Sequence, residues 1–267
     1  MTIIKDVTKE NIEDLCWFCV PETKRNDPEW IKGVEDKRRW AGAMLKKQGS
    51  LAKLAYQDNC AVGMIQYQTI LEEGIVYIDC IWVPWERYWQ KGIATKLLLS
   101  LLDDIKNSAI GGFNDGQALA LVTKTFPGGA PNQLTARQFF TKKGFQPIGK
   151  DPDYLYYPLR PGFVYRPKKK KAVKYQPQKE DKGKVLIISG PNACPATYPY
   201  FLKRMEKYIR EIDTKIPLQW LDASQESFAV KKRGVKIGDC IVNAKLIKSF
   251  VLDKENFQKE VNKALGK

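Results

Sequence analysis

Residues 89–94 have the sequence WQKGIA and stand immediately before a run of apolar residues at helical spacing. Small residues at Gly92 and Ala94 let a ligand approach the backbone. The unpaired amides of a helix N-terminus can then bind a phosphate, with help from the helix dipole. A tight loop that needs small residues for packing would show the same pattern. The segment therefore predicts either a phosphate-binding helix start or a packing turn.

Asp79 interrupts an apolar run, residues 75–83, that is typical of a buried strand. The residues that strand alternation places on its face are Ile75, Tyr77, Ile81 and Val83. An acid on an apolar face breaks the local pattern, and burial would raise its pKa toward the range of a general base. The structural alternatives are an ion pair with a lysine and an acid at the open edge where two strands splay. Glu86, in the following loop, is the second candidate base, acting through a water molecule.

The sequence contains no histidine, which removes the usual general base and the commonest metal ligand. Cys16 and Cys19 form a C-x-x-C pair, but no second pair or histidine completes a zinc site, so no metal is predicted. Cys194 precedes a predicted helix, where a lowered thiol pKa would make it a redox candidate and Cys240 would be its possible partner. A small side chain in a binding module is the alternative.

The length of 267 residues allows two domains, and a formal net charge of +15 favours anionic ligands. Residues 163–183 are rich in proline and lysine and predict an extended linker between domains at 1–162 and 184–267. The lysine run within it is better explained as a solvated tether than as a nucleic-acid contact. No stretch of 18 apolar residues and no signal-peptide core is present, so we expect a cytoplasmic protein without a membrane partner.

Hydrophobic periodicity predicts the order α-α-β-β-β-α-β-α-β for the first domain and β-α-β-β-β-α for the second, an α/β protein with mixed sheets. The predicted segments of the first domain are 10–20, 27–49, 51–56, 61–70, 75–83, 93–105, 118–123, 133–143 and strands near 148 and 154–159. Those of the second are 184–189, 198–212, 218–222, 239–242, 246–251 and 254–265.

Residues 1–162 resemble the GNAT family of N-acetyltransferases, whose loop after the fourth strand carries Gln/Arg-x-x-Gly-x-Gly/Ala. Gly92 and Ala94 match that motif, and Trp89 stands at its first position. A second match runs from Gln133 through Ala136 and Phe140 to Gly144-Phe145, similar to the family's Asn-x-x-Ala…Tyr-x-x-x-Gly-Phe helix. The resemblance implies a GNAT fold.

The same resemblance implies acetyl-CoA as co-substrate and direct attack of a primary amine on the thioester. The backbone of Ile81, Trp82 and Val83 would pair with the pantetheine arm. The pyrophosphate would contact the amides of Gln90, Lys91, Gly92, Ile93, Ala94 and Thr95, and Gln133 and Phe140 would complete the site. Because Phe140 replaces the usual tyrosine acid, the leaving thiolate would take its proton from Tyr77, Cys80 or water.

Residues 184–267 resemble a YoaP-type thioredoxin-like domain, with Cys194 at the position of the active cysteine. Thr197 and Gly238 replace its second cysteine and its cis-proline, which argues against a general dithiol oxidoreductase. We therefore expect an N-acetyltransferase with an appended module for substrate recognition or regulation. The amine could belong to a small molecule, a protein N-terminus or a lysine, and the resemblance is compatible with a homodimer. The alternative is a non-catalytic protein that binds CoA and senses thiol state.

Overall fold

The computed structural model describes residues 1–110, 112–113, 116–126, 134–168 and 174–267. The chain forms two compact units, Met1–Phe18 with Ala41–Lys169 and Cys19–Trp40 with Lys170–Lys267. Each unit contains one mixed sheet with helices, which confirms the α/β fold class. The first unit is interrupted in sequence by a segment that belongs to the second.

Seven strands form the sheet of the first unit, in the order β1-β2-β3-β4-β5-β7-β6. They are Ile3–Asp6 (β1), Ala52–Gln57 (β2), Cys60–Ile70 (β3), Ile75–Trp82 (β4), Ala120–Lys124 (β5), Gln146–Ile148 (β6) and Asp151–Pro158 (β7). Strands β4 and β5 are parallel, and the other neighbours are antiparallel. A parallel pair needs a crossover connection, which contains helix α3 (Ile93–Lys106).

Two apolar clusters cover the faces of this sheet. One face packs against α3 and the short helix α4 (Ala136–Lys142), and the apolar stripe of α3 is fully buried there. The other face is covered by a smaller cluster that includes Ile75, Tyr156 and Tyr165. Because both faces are covered, the central strands are apolar on both sides, and a polar residue within them needs a local explanation.

Helix α1 is Ile12–Trp17 and helix α2 is Pro28–Gln48. The predicted start of α2 is confirmed, since Asp27 Oδ1 accepts a hydrogen bond of 3.0 Å from the Glu29 amide and proline occupies the first helical position. Gly49, with φ of +72°, follows its last residue. The helix is continuous, although residues 28–40 belong to the second unit and residues 41–48 to the first.

The sheet of the second unit has the order β11-β10-β8-β9. Its strands are Val185–Ser189 (β8), Leu218–Asp222 (β9), Cys240–Val242 (β10) and Lys245–Ile247 (β11). Strands β8 and β9 are parallel, whereas β10 is antiparallel to β8 and to β11. Its other helices are α5 (Lys203–Ile212), preceded by a π-helical stretch at Tyr198–Leu202, α6 (Ser227–Arg233) and α7 (Lys254–Leu265).

Four elements differ clearly from the sequence prediction, the first being α1, which spans Ile12–Trp17 where 10–20 was predicted. Strand β1 and helix α6 were not predicted, because each is short and has little periodicity. The strand predicted over 246–251 ends at Ile247, since the amides of Lys248 and Ser249 donate to the Glu260 carboxylate instead of to a neighbouring strand.

The segment predicted as a linker is packed at both ends. The Tyr165 hydroxyl donates to the Glu73 carboxylate, and Tyr165 is buried beneath the sheet of the first unit. Asp181 is fully buried in the second unit, where it pairs with Arg233. The lysines at 169–171 of the basic run lie outside the described residues. The extended conformation expected for 163–183 therefore does not hold at its ends, because two side chains find buried partners there.

Candidate active site

Asp79 lies in a β-bulge of β4. Opposite β3, Gln66 pairs with Cys80 and Tyr67 pairs with Ile78, so Asp79 is the extra residue between them. A bulge changes which face the following residues point to. Ile75 and Tyr77 therefore pack on one face of the sheet and Ile81 and Val83 on the other. The prediction that all four share a face with Asp79 is wrong for Ile81 and Val83.

The side chain of Asp79 is partly buried beside two glutamines of β3. The Gln68 amide donates a hydrogen bond of 2.9 Å to Asp79 Oδ1, and Oδ2 is buried with no hydrogen-bond partner among the described residues. Gln66 is also buried, and its Oε1 likewise lacks a partner there. Two buried acceptors without donors are uncommon, because each loses its hydration without compensation. Their burial therefore needs a local explanation.

Burial raises the pKa of Asp79 to about 6, and the hydrogen bond from Gln68 only partly opposes this. The carboxylate is then ionised near neutral pH and is basic enough to accept a proton. Tyr77 is half-buried, and its phenol pKa is raised by burial and by the Asp79 charge, so it stays protonated. Cys80 follows Asp79 and faces Gln66 across the ladder.

Strands β4 and β5 stop pairing immediately before Asp79. The last paired residues are Ile78 and Thr123, and the Thr123 hydroxyl donates a hydrogen bond of 3.0 Å to the Ile78 carbonyl. Beyond this point β4 continues to Trp82 with β3 as its only ladder partner in the described sheet. The β5 side of residues 79–82 therefore offers backbone groups to an extended ligand.

The loop that follows leads directly into α3. Gly92 precedes the helix with φ of +74°, and a Cβ placed there would meet no atom within 4 Å. The first intrahelical bond runs from the Lys96 amide to the Gly92 carbonyl, so the amides of residues 93–95 have no intrahelical partner. No side chain in the described ranges caps them. This is an open helix N-terminus with room beside it, suited to a phosphate.

Aromatic and basic side chains surround that loop. Trp85 makes edge contacts with Phe18 and Tyr88, and the Arg87 guanidinium lies 4.9 Å from the centre of the Tyr88 ring. The Trp89 indole donates a hydrogen bond of 2.9 Å to the Val83 carbonyl. Trp89 thus ties the two ends of the loop together, whereas Trp82 is exposed.

The other candidate residues lie in different environments. Glu86 is exposed in a short 3₁₀ turn, and Gln90 and Lys91 are exposed just before Gly92. Phe140 is buried in α4, where its ring contacts Phe139 and Phe145, so it contributes to the core. Gln133 lies outside the described residues.

The structure brings together Asp79, Tyr77 and Cys80, and it adds two residues that the sequence analysis missed. Gln66 and Gln68 are polar residues within the largely apolar strand β3, which was the available signal. Cys194 belongs to the second unit and is exposed. Within the described residues, no group of three or more metal-binding side chains occurs, and no helix is long and apolar enough to cross a membrane.

Residues 10–116 match the model of the acetyltransferase (GNAT) family. That range contains Asp79, the loop and all of α3, but neither the 133–145 motif nor the second sheet. No curated protein matches the chain.

Several solved structures are similar to part of the chain. A GNAT-family acetyltransferase from Staphylococcus aureus is 18% identical with a TM-score of 0.43, covering 60% of this chain and 100% of that one. A GNAT-family acetyltransferase from Brucella melitensis, in complex with acetyl-CoA, is 15% identical with a TM-score of 0.41, covering 61% and 92%. Naa50 from Arabidopsis thaliana, in complex with a bisubstrate analogue, is 19% identical with a TM-score of 0.34, covering 58% and 95%.

Proposed function

We propose that the chain is an N-acetyltransferase that moves an acetyl group from acetyl-CoA to a primary amine, with Asp79 as the general base. The observation that carries this proposal is the bulge at Asp79, where β4 and β5 part and a buried carboxylate oxygen has no donor in the described part of the chain. The family match over residues 10–116 supports the reaction class.

Acetyl-CoA would bind along the gap between β4 and β5. The backbone of residues 81–83 would pair with the pantetheine arm, and the free amides of residues 93–95 would receive the pyrophosphate. Lys91 and Lys96 add positive charge near the helix start. The open space beside Gly92 fits this use, since a side chain there would compete with the ligand.

The amine would enter on the face that carries Asp79, Gln66 and Gln68. Its ammonium group supplies the donors that Asp79 Oδ2 and Gln66 Oε1 lack. Asp79 takes one proton, and the neutral amine attacks the carbonyl carbon of the thioester. The C–S bond then breaks, and the CoA thiolate takes a proton from Tyr77, Cys80 or water.

The second unit would recognise the substrate or regulate the reaction. Its order of β-α-β, helix, antiparallel hairpin and closing helix supports the resemblance to a thioredoxin-like module. We assign the amine to a small molecule, a protein N-terminus or a lysine, and place the protein in the cytoplasm. A homodimer is compatible with this function.

The proposal is tested by calorimetric titration of acetyl-CoA into the wild-type protein, G92E and G149E. Gly149 is a matched control, because it has φ of +61° and open space like Gly92 but lies in the β6–β7 turn. We expect micromolar binding to the wild type and to G149E, and none to G92E. Equal loss in both variants would trace the effect to backbone strain and remove support for the phosphate site.

Turnover is then measured as CoA thiol release with a panel of amines. Acceleration by at least one amine that is lost in D79N supports the transferase. Binding of acetyl-CoA without turnover by any amine favours the alternative, a protein that binds CoA without catalysis and senses thiols through its second unit.

A further inference from the structure

Lys37 is a charged residue of the second unit with a fully buried side chain. Its side chain is fully buried in α2, and its Nζ has no hydrogen-bond partner among the described residues. An ammonium group without a partner is expensive to bury, so a nearby anion is expected. Asp36 is not that anion, since its carboxylate forms ion pairs with Lys32 and Arg39.

The loop that carries Cys194 lies against the same part of α2. A Cβ added to Gly33 would lie 2.0 Å from the Pro195 carbonyl oxygen, which shows how closely the two backbones approach. The Asn192 amide donates a hydrogen bond of 3.2 Å to the Asp36 carbonyl, and Asn192 Oδ1 accepts from the Cys194 amide. Lys37 is one turn beyond Gly33, so it lies on the face that this loop covers.

Cys19 completes the group. Burial raises the pKa of its thiol to about 11, the Lys37 ammonium lowers it, and Cys194 raises it further. Both neighbours therefore lie near enough to act electrostatically on the Cys19 sulfur. Cys194 is exposed and Cys19 is only partly so. Cys240 is buried in β10, and burial raises its thiol pKa strongly, which argues against it as the partner of Cys194.

We propose that Cys194 and Cys19 form a thiol–disulfide exchange site, in which Cys194 reacts with a low-molecular-weight disulfide and Cys19 resolves the product beside the Lys37 ammonium. The Cys194 thiolate attacks one sulfur of the small disulfide, forms a mixed disulfide and releases one small thiolate. The Cys19 thiolate then attacks the Cys194 sulfur, forming the Cys19–Cys194 disulfide and releasing the second small thiolate. Both protein thiols are oxidised, the small disulfide is reduced, and the two protons go to the released thiols.

The order of the two steps follows from accessibility. Cys194 meets the small disulfide first because it is exposed, whereas Cys19 reacts within the molecule. The high pKa of Cys19 makes the second step the slower one, and Lys37 accelerates it by stabilising the attacking thiolate.

The test uses the full chain with oxidised glutathione as the probe, followed by alkylation of free thiols and peptide mass spectrometry. We expect the wild type to yield a peptide pair linked through Cys19 and Cys194, and C19S to keep glutathione on Cys194. C194S should leave Cys19 free, and C60S, which removes an exposed cysteine of the first unit, should behave like the wild type. A wild type that keeps glutathione on Cys194 while Cys19 is alkylated would overturn the proposal.

The role of Lys37 is tested with K37M, which keeps an unbranched side chain one atom shorter and removes its charge. The mixed disulfide should persist at least about tenfold longer, because each unit of pKa changes the thiolate fraction tenfold. The thermal midpoint of K37M reports whether the variant is folded and should not fall, since a buried charge that has no hydrogen-bond partner among the described residues has been removed. Resolution at the wild-type rate in folded K37M would refute the role of Lys37.

Discussion

Among the described residues, Asp79 accepts one hydrogen bond where its carboxylate could accept several, and its burial with so few donors sets its acid–base behaviour. With a pKa of about 6, it is protonated in mild acid and ionised at neutral pH. For an enzyme that needs the ionised form, kcat/KM should rise with pH through about 6 and then level off.

D79N should lose this limb of the pH profile and reduce kcat/KM by roughly 10²–10⁴-fold, the usual contribution of a general base. The measurement is a pH series of CoA release at saturating acetyl-CoA, with an amine whose own ionisation is corrected for. D103N, which changes an exposed carboxylate of α3, is the matched control and should keep the wild-type profile. An unchanged limb in D79N would assign the base to another group.

The same raised pKa predicts an effect on stability. Between pH 4 and pH 6 the unfolded chain loses the Asp79 proton before the folded chain does, so the folded state is destabilised as pH rises. Well above pH 6 the destabilisation of the folded state by ionised Asp79 is constant, at about 3 kcal/mol or less. D79N should therefore be more stable than the wild type at pH 7 and similar to it at pH 3.5. Denaturant unfolding at both pH values checks this. A difference in free energy of unfolding between D79N and the wild type that is the same at both pH values would contradict it.

At this scale the sequence predicts the acid but not its surroundings. Asp79 is identified because it breaks an apolar strand pattern. The bulge depends on how β3 and β4 pair across the ladder, and no local rule fixes where an extra residue enters. Gln66 and Gln68 were missed for the same reason, since their importance follows from their ladder partners Cys80 and Tyr77, which lie on either side of Asp79.

Among the elements, the long α2, the hairpin β2–β3, β4 and α3 were predicted well, because each has strong periodicity or clear capping residues. Elements held by side-chain contacts distant in sequence were not. The early end of β11 depends on Glu260 of α7, and the packed end of the predicted linker depends on Arg233 of α6.

The pair of Asp181 and Arg233 joins that segment to α6. Arg233 Nη2 and Nε donate to Asp181 Oδ1 over 2.7 and 3.0 Å, and both side chains are buried. D181N leaves the guanidinium partly unpaired and should lower the free energy of unfolding by about 3–5 kcal/mol. E211Q, which breaks an exposed pair with Lys254, should cost less than about 1 kcal/mol. Denaturant unfolding of both variants provides the comparison. Similar losses of free energy of unfolding in D181N and E211Q would contradict the larger contribution of the buried pair.

For the whole molecule, the units do not coincide with contiguous stretches of sequence. Trp30 and Val34 are buried and belong to the second unit together with Tyr200, whose ring makes an edge contact with Trp30. A chain cut at residue 162 keeps these two side chains and loses the residues that cover them. It should bind a hydrophobic dye, self-associate and unfold at a lower temperature than the full chain.

The control for this truncation is the same short chain carrying W30Q and V34Q, which should bind less dye and remain monomeric. Size-exclusion chromatography and dye fluorescence distinguish the two. If the truncated chain without these substitutions is monomeric and binds no dye, residues 1–162 alone are enough to cover the apolar side chains of residues 19–40.

The insertion of residues 19–40 into the first unit also limits how such a protein could arise or be rearranged. Two domains joined end to end can be exchanged by recombination at the boundary between the coding segments of the two domains. Here a crossover near residue 162 would separate the segment 19–40 from the rest of its own unit. The two units of this chain are therefore constrained to be inherited together, and each must accept mutations that suit the continuous helix α2 they both include.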